Sequence, residues 1–190
     1  MAINSLSTGF RPGVCTSSTR PTAPYEGQQI YETDTDKLLV WNATAWIVIF
    51  PAPAAAVSLT SDLNIANGTD TAITWSAAEY DNNSMFSAGT ANRLTIQTAG
   101  IYVVTATVCY PSNSNGERIA WIQKNGTNAT RWGQRRGGGW TTGNTEFSIT
   151  AQISCAVSDY IQIGTYQSSG GTLALQSVAT SRTRLEVSRA

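Results

Sequence analysis

Gly100–Tyr110 reads GIYVVTATVCY, and the alternation inside this stretch decides the fold. Tyr102, Val104, Ala106, Val108 and Tyr110 fall on one side of an extended chain, with Thr105 and Thr107 on the other. Successive strand side chains point to opposite faces, so a period of two over this length specifies a half-buried strand. TEFSITAQISC at 145–155 repeats the pattern, with Phe147, Ile149, Ala151, Ile153 and Cys155 on one face. Tyr160–Gln167 and residues 184–188 supply two more strands. Clusters of Gly, Asn, Ser and Thr separate these runs, and no useful length carries a helical period. The chain is expected to be all-β, with roughly eight to ten strands over its last ~130 residues, as suits a two-sheet sandwich or jelly roll.

RIAWIQKNG at 118–126 differs, because both of its faces are apolar. Ile119 and Trp121 share one face, Ala120 and Ile122 the other, and Ile101 and Val103 likewise lie out of phase with the core face of their strand. Strands apolar on both sides are buried on both sides. A neighbouring subunit is the economical second cover for a thin sandwich, so an oligomer is expected, with Tyr102, Val104, Ile119, Trp121 and Ile122 as core or interface residues.

Residues 1–53 form a separate block, in which GQQIYET, KLLVWN and AWIVIF read as three short strands of a hairpin-rich β module. The Pro- and Ala-rich run beginning at Pro51 is expected to act as a stiff linker over 54–60, leaving 61–190 for the sandwich.

Composition removes several functions. There are no histidines, so the usual neutral-pH general base, the Ser-His and Cys-His nucleophile pairs and the commonest zinc ligand are missing. Cys15, Cys109 and Cys155 are odd in number and widely spaced, which speaks against a disulfide framework or a metal cluster. Net charge is zero and charged residues make up 13%, so nothing global attracts nucleic acid or an anionic membrane. The amino-terminal residues show no secretion-signal pattern, and the longest apolar run, 45–57, is too short to span a bilayer. The expectation is synthesis in a cytosol without membrane insertion. Asn-X-Ser/Thr triplets at Asn42, Asn67, Asn82, Asn125 and Asn128 then read as turn chemistry.

QRRGGGW at 134–140 could be taken for a phosphate cradle, but no Gly-Lys-Ser/Thr follows and no helix opens there. It reads as an inter-strand loop in which Trp132, Arg135, Arg136 and Trp140 are candidates for contact with a glycan, a neighbour or an anion. ETDTDK at 32–37 lacks the glycine and closing glutamate of a calcium loop and reads as a hairpin turn whose Asp side chains bond its own backbone. Glu79 and Asp81 are the nearest approach to a carboxylate pair in the second domain.

Residues 79–125 then carry a resemblance. Tyr80-Asp81, Met85-Phe86, Asn92-Arg93-Leu94-Thr95, Ala99-Gly100-Ile101-Tyr102, Gly116-Glu117-Arg118 and Lys124-Asn125-Gly126-Thr127 occur in the order found in the globular head domain of complement and tumour-necrosis-factor-like proteins, in its bacteriophage form. The resemblance covers about residue 57 to the carboxyl end. It implies a ten-stranded jelly roll assembled as a tight homotrimer, with no cofactor and no catalytic residues. Some members of the family hold calcium. Neither a collagen stalk nor a signal peptide is expected from these residues, so an immune or hormone role is not carried over. The 18–46 stretch resembles a small module of tailed-phage particle proteins, through Thr19-Arg20-Pro21, Tyr25-Glu26-Gly27, Ile30-Tyr31-Glu32-Thr33 and Trp46. That resemblance implies a virion anchor for which Arg20, Pro21, Tyr25, Tyr31, Trp41 and Trp46 are the candidate residues. Together these imply a non-enzymatic structural protein on the surface of a phage particle. A capsid decoration or head fibre is slightly favoured over a minor tail or tail-fibre protein that binds host-surface carbohydrate.

Overall fold

The computed structural model describes residues 12–50, 52–126, 130–178 and 182–190. The chain divides into two compact units, Met1–Ala52 and Pro53–Ala190. Thr127 and Asn128 lie outside the described residues, as does nearly all of the amino-terminal stretch in which no secretion signal was read.

The first unit is one sheet of four strands in sequence order: β1 (Gly13–Cys15), β2 (Gln29–Glu32), β3 (Lys37–Trp41) and β4 (Trp46–Phe50). The three strands read from the sequence are β2 to β4, paired antiparallel. β1 runs parallel to β2 and is too short to show a period. Side chains fix both hairpin turns. Asn42 Oδ1 accepts from the Thr44 and Ala45 N–H groups at 3.1 and 2.7 Å, which lets Ala43 take a left-handed φ of 72°. The 32–37 stretch is a turn, with Asp36 at φ 52°, but Asp34 reaches across to Ser17, accepting from its N–H at 2.9 Å and its hydroxyl at 2.5 Å.

The second unit carries β5 (Ala54–Ser58), β6 (Leu63–Ile65), β7 (Thr71–Ala72), β8 (Ala77–Asp81), β9 (Leu94–Thr95), β10 (Gly100–Tyr110), β11 (Glu117–Lys124), β12 (Trp132–Gly138), β13 (Thr145–Cys155), β14 (Tyr160–Gln167), β15 (Leu173–Leu175) and β16 (Arg184–Arg189). They form a five-stranded sheet ordered β13-β10-β16-β5-β8 and a second sheet ordered β12-β11-β14-β7, with β9 also on β14 and β15 paired to β6. The alternating face of β10 is the centre of the core: Tyr102, Val104, Val108 and Tyr110 are fully buried and pack with Ile122, Ile161 and Ile163 from the facing sheet. Cross-strand pairs Val104↔Ala151 and Val108↔Phe147 carry the same face onto β13. Tyr110 Oη lies 2.8 Å from Thr165 Oγ1 on β14, and burial pushes its phenol up to about 12.

The expected linker over 54–60 is a correction. Ala54–Ser58 is β5, hydrogen-bonded between β16 and β8, with Ala55, Ala56 and Val57 fully buried. Its alanines lack the branched side chains that mark a strand in sequence. They serve here by being small: Tyr80 on β8 reaches Glu186 on β16 at 2.6 Å, and Ala56 stands between those two residues in register.

Candidate interaction surfaces

β11 was expected to need a second subunit to cover its outer face, and the structure gives that cover to the same chain. Arg118, Ala120 and Ile122 alternate on the core side, whereas Ile119, Trp121 and Gln123 face outward yet are at most 6% exposed. Trp121 pairs with Gly164 on β14, and a Cβ at Gly164 would stand 2.2 Å from the indole, so only glycine lets the ring lie across the strand. Arg131 closes the site from above, its guanidinium carbon 3.9 Å from the ring centroid and its Nη2 2.5 Å from Asp70. Trp121 Nε1 donates to Gln123 Oε1 at 3.0 Å, and Gln123 Nε2 donates to Gln162 at 3.2 Å. Trp121 is therefore a covered residue of the single chain, as are Tyr102, Val104, Ile119 and Ile122.

The outward face of the five-stranded sheet is different. It presents Thr105, Thr107, Ser148, Thr150 and Ser188, ending in Ile101, which is 55% exposed. An ion network crosses one end. Tyr80 Oη donates to Glu186, Arg184 bonds Glu186 and Glu79 at 2.7 Å each, and Arg182 reaches Glu79 at 3.2 Å. Tyr80's hydrogen bond, followed by Arg184's, holds the Glu186 carboxyl below its ordinary range.

QRRGGGW is not a loop. Its first five residues end strand β12, which pairs with β11 through Ala120↔Arg135, Ile119↔Arg136 and Glu117↔Gly138. Two of the three glycines are there for close approach: a Cβ at Gly137 would meet the Phe147 ring at 3.3 Å, and one at Gly139 would meet the Asn113 carbonyl at 1.9 Å. Trp132 and Trp140 do not form a pair of solvent-facing rings. Trp132 stands opposite Ile122 and packs against the core, whereas Trp140 is 63% exposed. Arg135 and Arg136 are exposed, and Arg136 Nε meets Glu117 at 3.0 Å.

In the first unit, Trp41 and Trp46 face each other across β3 and β4, their centroids 5.5 Å apart and their planes at 59°. Arg20 pairs with Glu32, whose side chain is fully buried and also accepts from Thr35 at 2.7 Å. The Arg20 hydrogen bond holds the Glu32 carboxyl below its ordinary range against the opposing effect of burial. Tyr31 Oη donates to Asp36 at 2.8 Å, Pro21 is half-buried, and Tyr25 is 68% exposed. Val14, Ile47 and Val48 are exposed apolar residues of the same sheet.

The carboxylates of the second unit have structural partners. Asp81 accepts from the Asn83, Met85 and Phe86 N–H groups at 2.8–3.1 Å, and Glu79 is held by Arg182 and Arg184. Among the described residues no group of three or more Cys, Asp or Glu side chains is placed to share a metal ion, and no helix is long and apolar enough to cross a membrane. Cys109 and Cys155 are buried thiols: Cys155 sits in the sandwich core, while Cys109 faces away from it, its thiol 3.4 Å from Gln176 Oε1.

Sequence reasoning missed Arg131, Asp70 and Gly164 as the cover of Trp121. It also missed Arg118 as a buried cation. Gly116-Glu117-Arg118 was noted only as a motif.

No family model matches the chain, and no curated protein sequence matches it. Among solved structures, the globular domain of the zebrafish complement 1qA protein is similar at 12% identity over 72% of this chain and 96% of that one, with a TM-score of 0.55. Murine APRIL is similar at 9% identity over 74% and 100%, TM-score 0.57. Eiger TNF from S. frugiperda is similar at 13% over 74% and 94%, TM-score 0.53. The chain is all-β, and the fold it shares with these structures is the jelly roll of complement-head and tumour-necrosis-factor-like domains.

Proposed function

We propose that the chain is a non-enzymatic structural protein that assembles as a homotrimer through the outward face of its five-stranded sheet. Its first unit attaches it to a phage particle. The observation that carries the reading is that sheet face: it is lined by small hydroxyl side chains and ends in a half-exposed Ile101, beside the half-buried Val103. The small side chains of β10 and β13 leave room for identical subunits to pack closely around an axis, with the Tyr80, Arg184 and Glu186 network to one side of them. Homotrimeric assembly is also what the resemblance to complement heads implies.

Attachment through the first unit rests on its phage-module resemblance and on its exposed Val14, Tyr25, Ile47 and Val48. The set of candidate anchor residues narrows accordingly. Tyr25 is available for contact, Trp41 and Trp46 pack against each other at a tilt, and Arg20 is engaged with Glu32. Three anchors held by one trimer would bind a three-fold site with the avidity of linked modules.

Capsid decoration remains the favoured placement over a minor tail protein. A map of the particle tests it: many copies distributed over the capsomers are expected, and a few copies at the tail tip would replace decoration with adhesion.

A further inference from the structure

The most solvent-exposed aromatic side chain described in the second unit sits on a loop cluster held by backbone and side-chain hydrogen bonds. Trp140 is 63% exposed, yet the backbone around it is clamped. The Ser112 hydroxyl lies 3.2 and 2.8 Å from the carbonyls of Trp140 and Thr141, and the Gly139 N–H donates to the Gly116 carbonyl at 3.1 Å. Gly139 lies so close to the Asn113 carbonyl that no side chain fits between them.

The 111–116 loop on the other side of this contact is held from beneath by Arg118. That guanidinium is fully buried and donates to the carbonyls of Asn113, Asn115 and Glu117 at 2.7–3.2 Å. Burying a cation without an opposing charge costs stability, and here the cation holds a surface loop in one shape.

Polar side chains stand at the end of the β11–β12 ladder, where Glu117 pairs with Gly138, two residues before Trp140. Glu117 and Arg136, joined at 3.0 Å, are planar hydrogen-bonding groups at the end of β11–β12 that leads into Gly138 and Trp140. Ser114, Asn115 and Thr141 are exposed and neutral. A phosphate or sulfate would meet the Glu117 carboxylate, whereas a neutral hydroxyl-rich ring can stack its apolar face on the indole and exchange hydrogen bonds with both partners of the ion pair.

We propose that this tip is a carbohydrate-binding site for a neutral hexose-containing glycan, with Trp140 as the stacking platform and Glu117 and Arg136 as the orienting groups. The fixed loops mean that little ordering is needed on binding. The site is built within one chain, so it depends neither on the trimer nor on a position on the particle. In a trimer, three tips would add avidity.

The test uses the full chain on an array of defined bacterial-surface oligosaccharides, followed by tryptophan-fluorescence titration with the strongest neutral binder. Wild type is expected to bind at least one neutral hexose oligosaccharide. Trp140→Ala should weaken that binding by about tenfold or more, Trp140→Phe should retain most of it, and Ser112→Ala should weaken it by about threefold while the indole remains. Binding of acidic polymers or proteins alone, an array without any neutral binder, or Trp140→Ala binding as wild type would each overturn the proposal. So would a Trp140→Ala protein that loses its fold, since that would contradict the exposure of the ring. None of these failures bears on the trimer, which is read separately from the mass of the particle in solution.

Discussion

The two units solve the burial problem differently. The second closes two sheets over a continuous core in which Tyr102, Val104, Trp75, Ile122 and Ile163 are at most 2% exposed. Among the described residues, the first has a single sheet and fully buries Ile30, Leu39 and Glu32. A unit of this size buries a small share of its surface and is marginal alone. It leans on a buried ion pair, a tryptophan pair and side chains that pin its turns. The difference teaches which part of the molecule specifies its own shape and which part stands to gain from whatever it is attached to.

The largest effect expected is at Gly164. Gly164→Val drives a side chain into the Trp121 indole and should cost the second unit about 3 kcal/mol, read as an earlier unfolding transition in denaturant. Arg118→Leu leaves three carbonyls without their donor and should cost about 2 kcal/mol in the same transition, leaving the first unit untouched. Trp41→Ala should act on the other side of the comparison, lowering the transition of the first unit by about 1–2 kcal/mol and leaving the second where it was.

Titration separates the units further. Glu32 has a folded pKa depressed below its usual 4.5, so its contribution is present above that value and is lost as pH falls through the folded pKa. Glu79, Glu186 and Asp159 shift the same way in the second unit, but there a large core remains. The first unit should therefore melt first when pH is lowered below about 4.5, followed by circular dichroism. Tyr110 runs the other way. Its folded pKa is raised from 10.0 to about 12, so its contribution is full below 10.0 and is lost as pH rises toward 12, where the second unit should weaken. The smallest effect is Trp140→Ala, within about 0.5 kcal/mol of wild type.

Sequence showed the parts of the fold that repeat and hid the parts that depend on distant neighbours. The face of β10 was legible because five apolar residues alternate without interruption. β5 was not, because alanines that follow two prolines resemble a linker until Tyr80 and Glu186 are seen to close over Ala56. QRRGGGW was misread for a related reason. Glycines usually punctuate loops, but here they let an edge strand lie against Phe147 and the Asn113 carbonyl. The two-faced pattern of β11 was read correctly as two-sided burial. Its cover could not be assigned from sequence, since Arg131 and Gly164 lie on segments that meet Trp121 only in the fold. The same holds for the tip: the exposed indole was a candidate by residue type, and the buried Arg118 beneath it was not.

Assembly is the central claim, and the mass of the full chain in solution tests it most directly. Light scattering at neutral pH is expected to return three times the chain mass of 20.3 kDa, unchanged on dilution. A mass of 20.3 kDa would mean that the outward sheet face meets no second copy, and it would contradict the account.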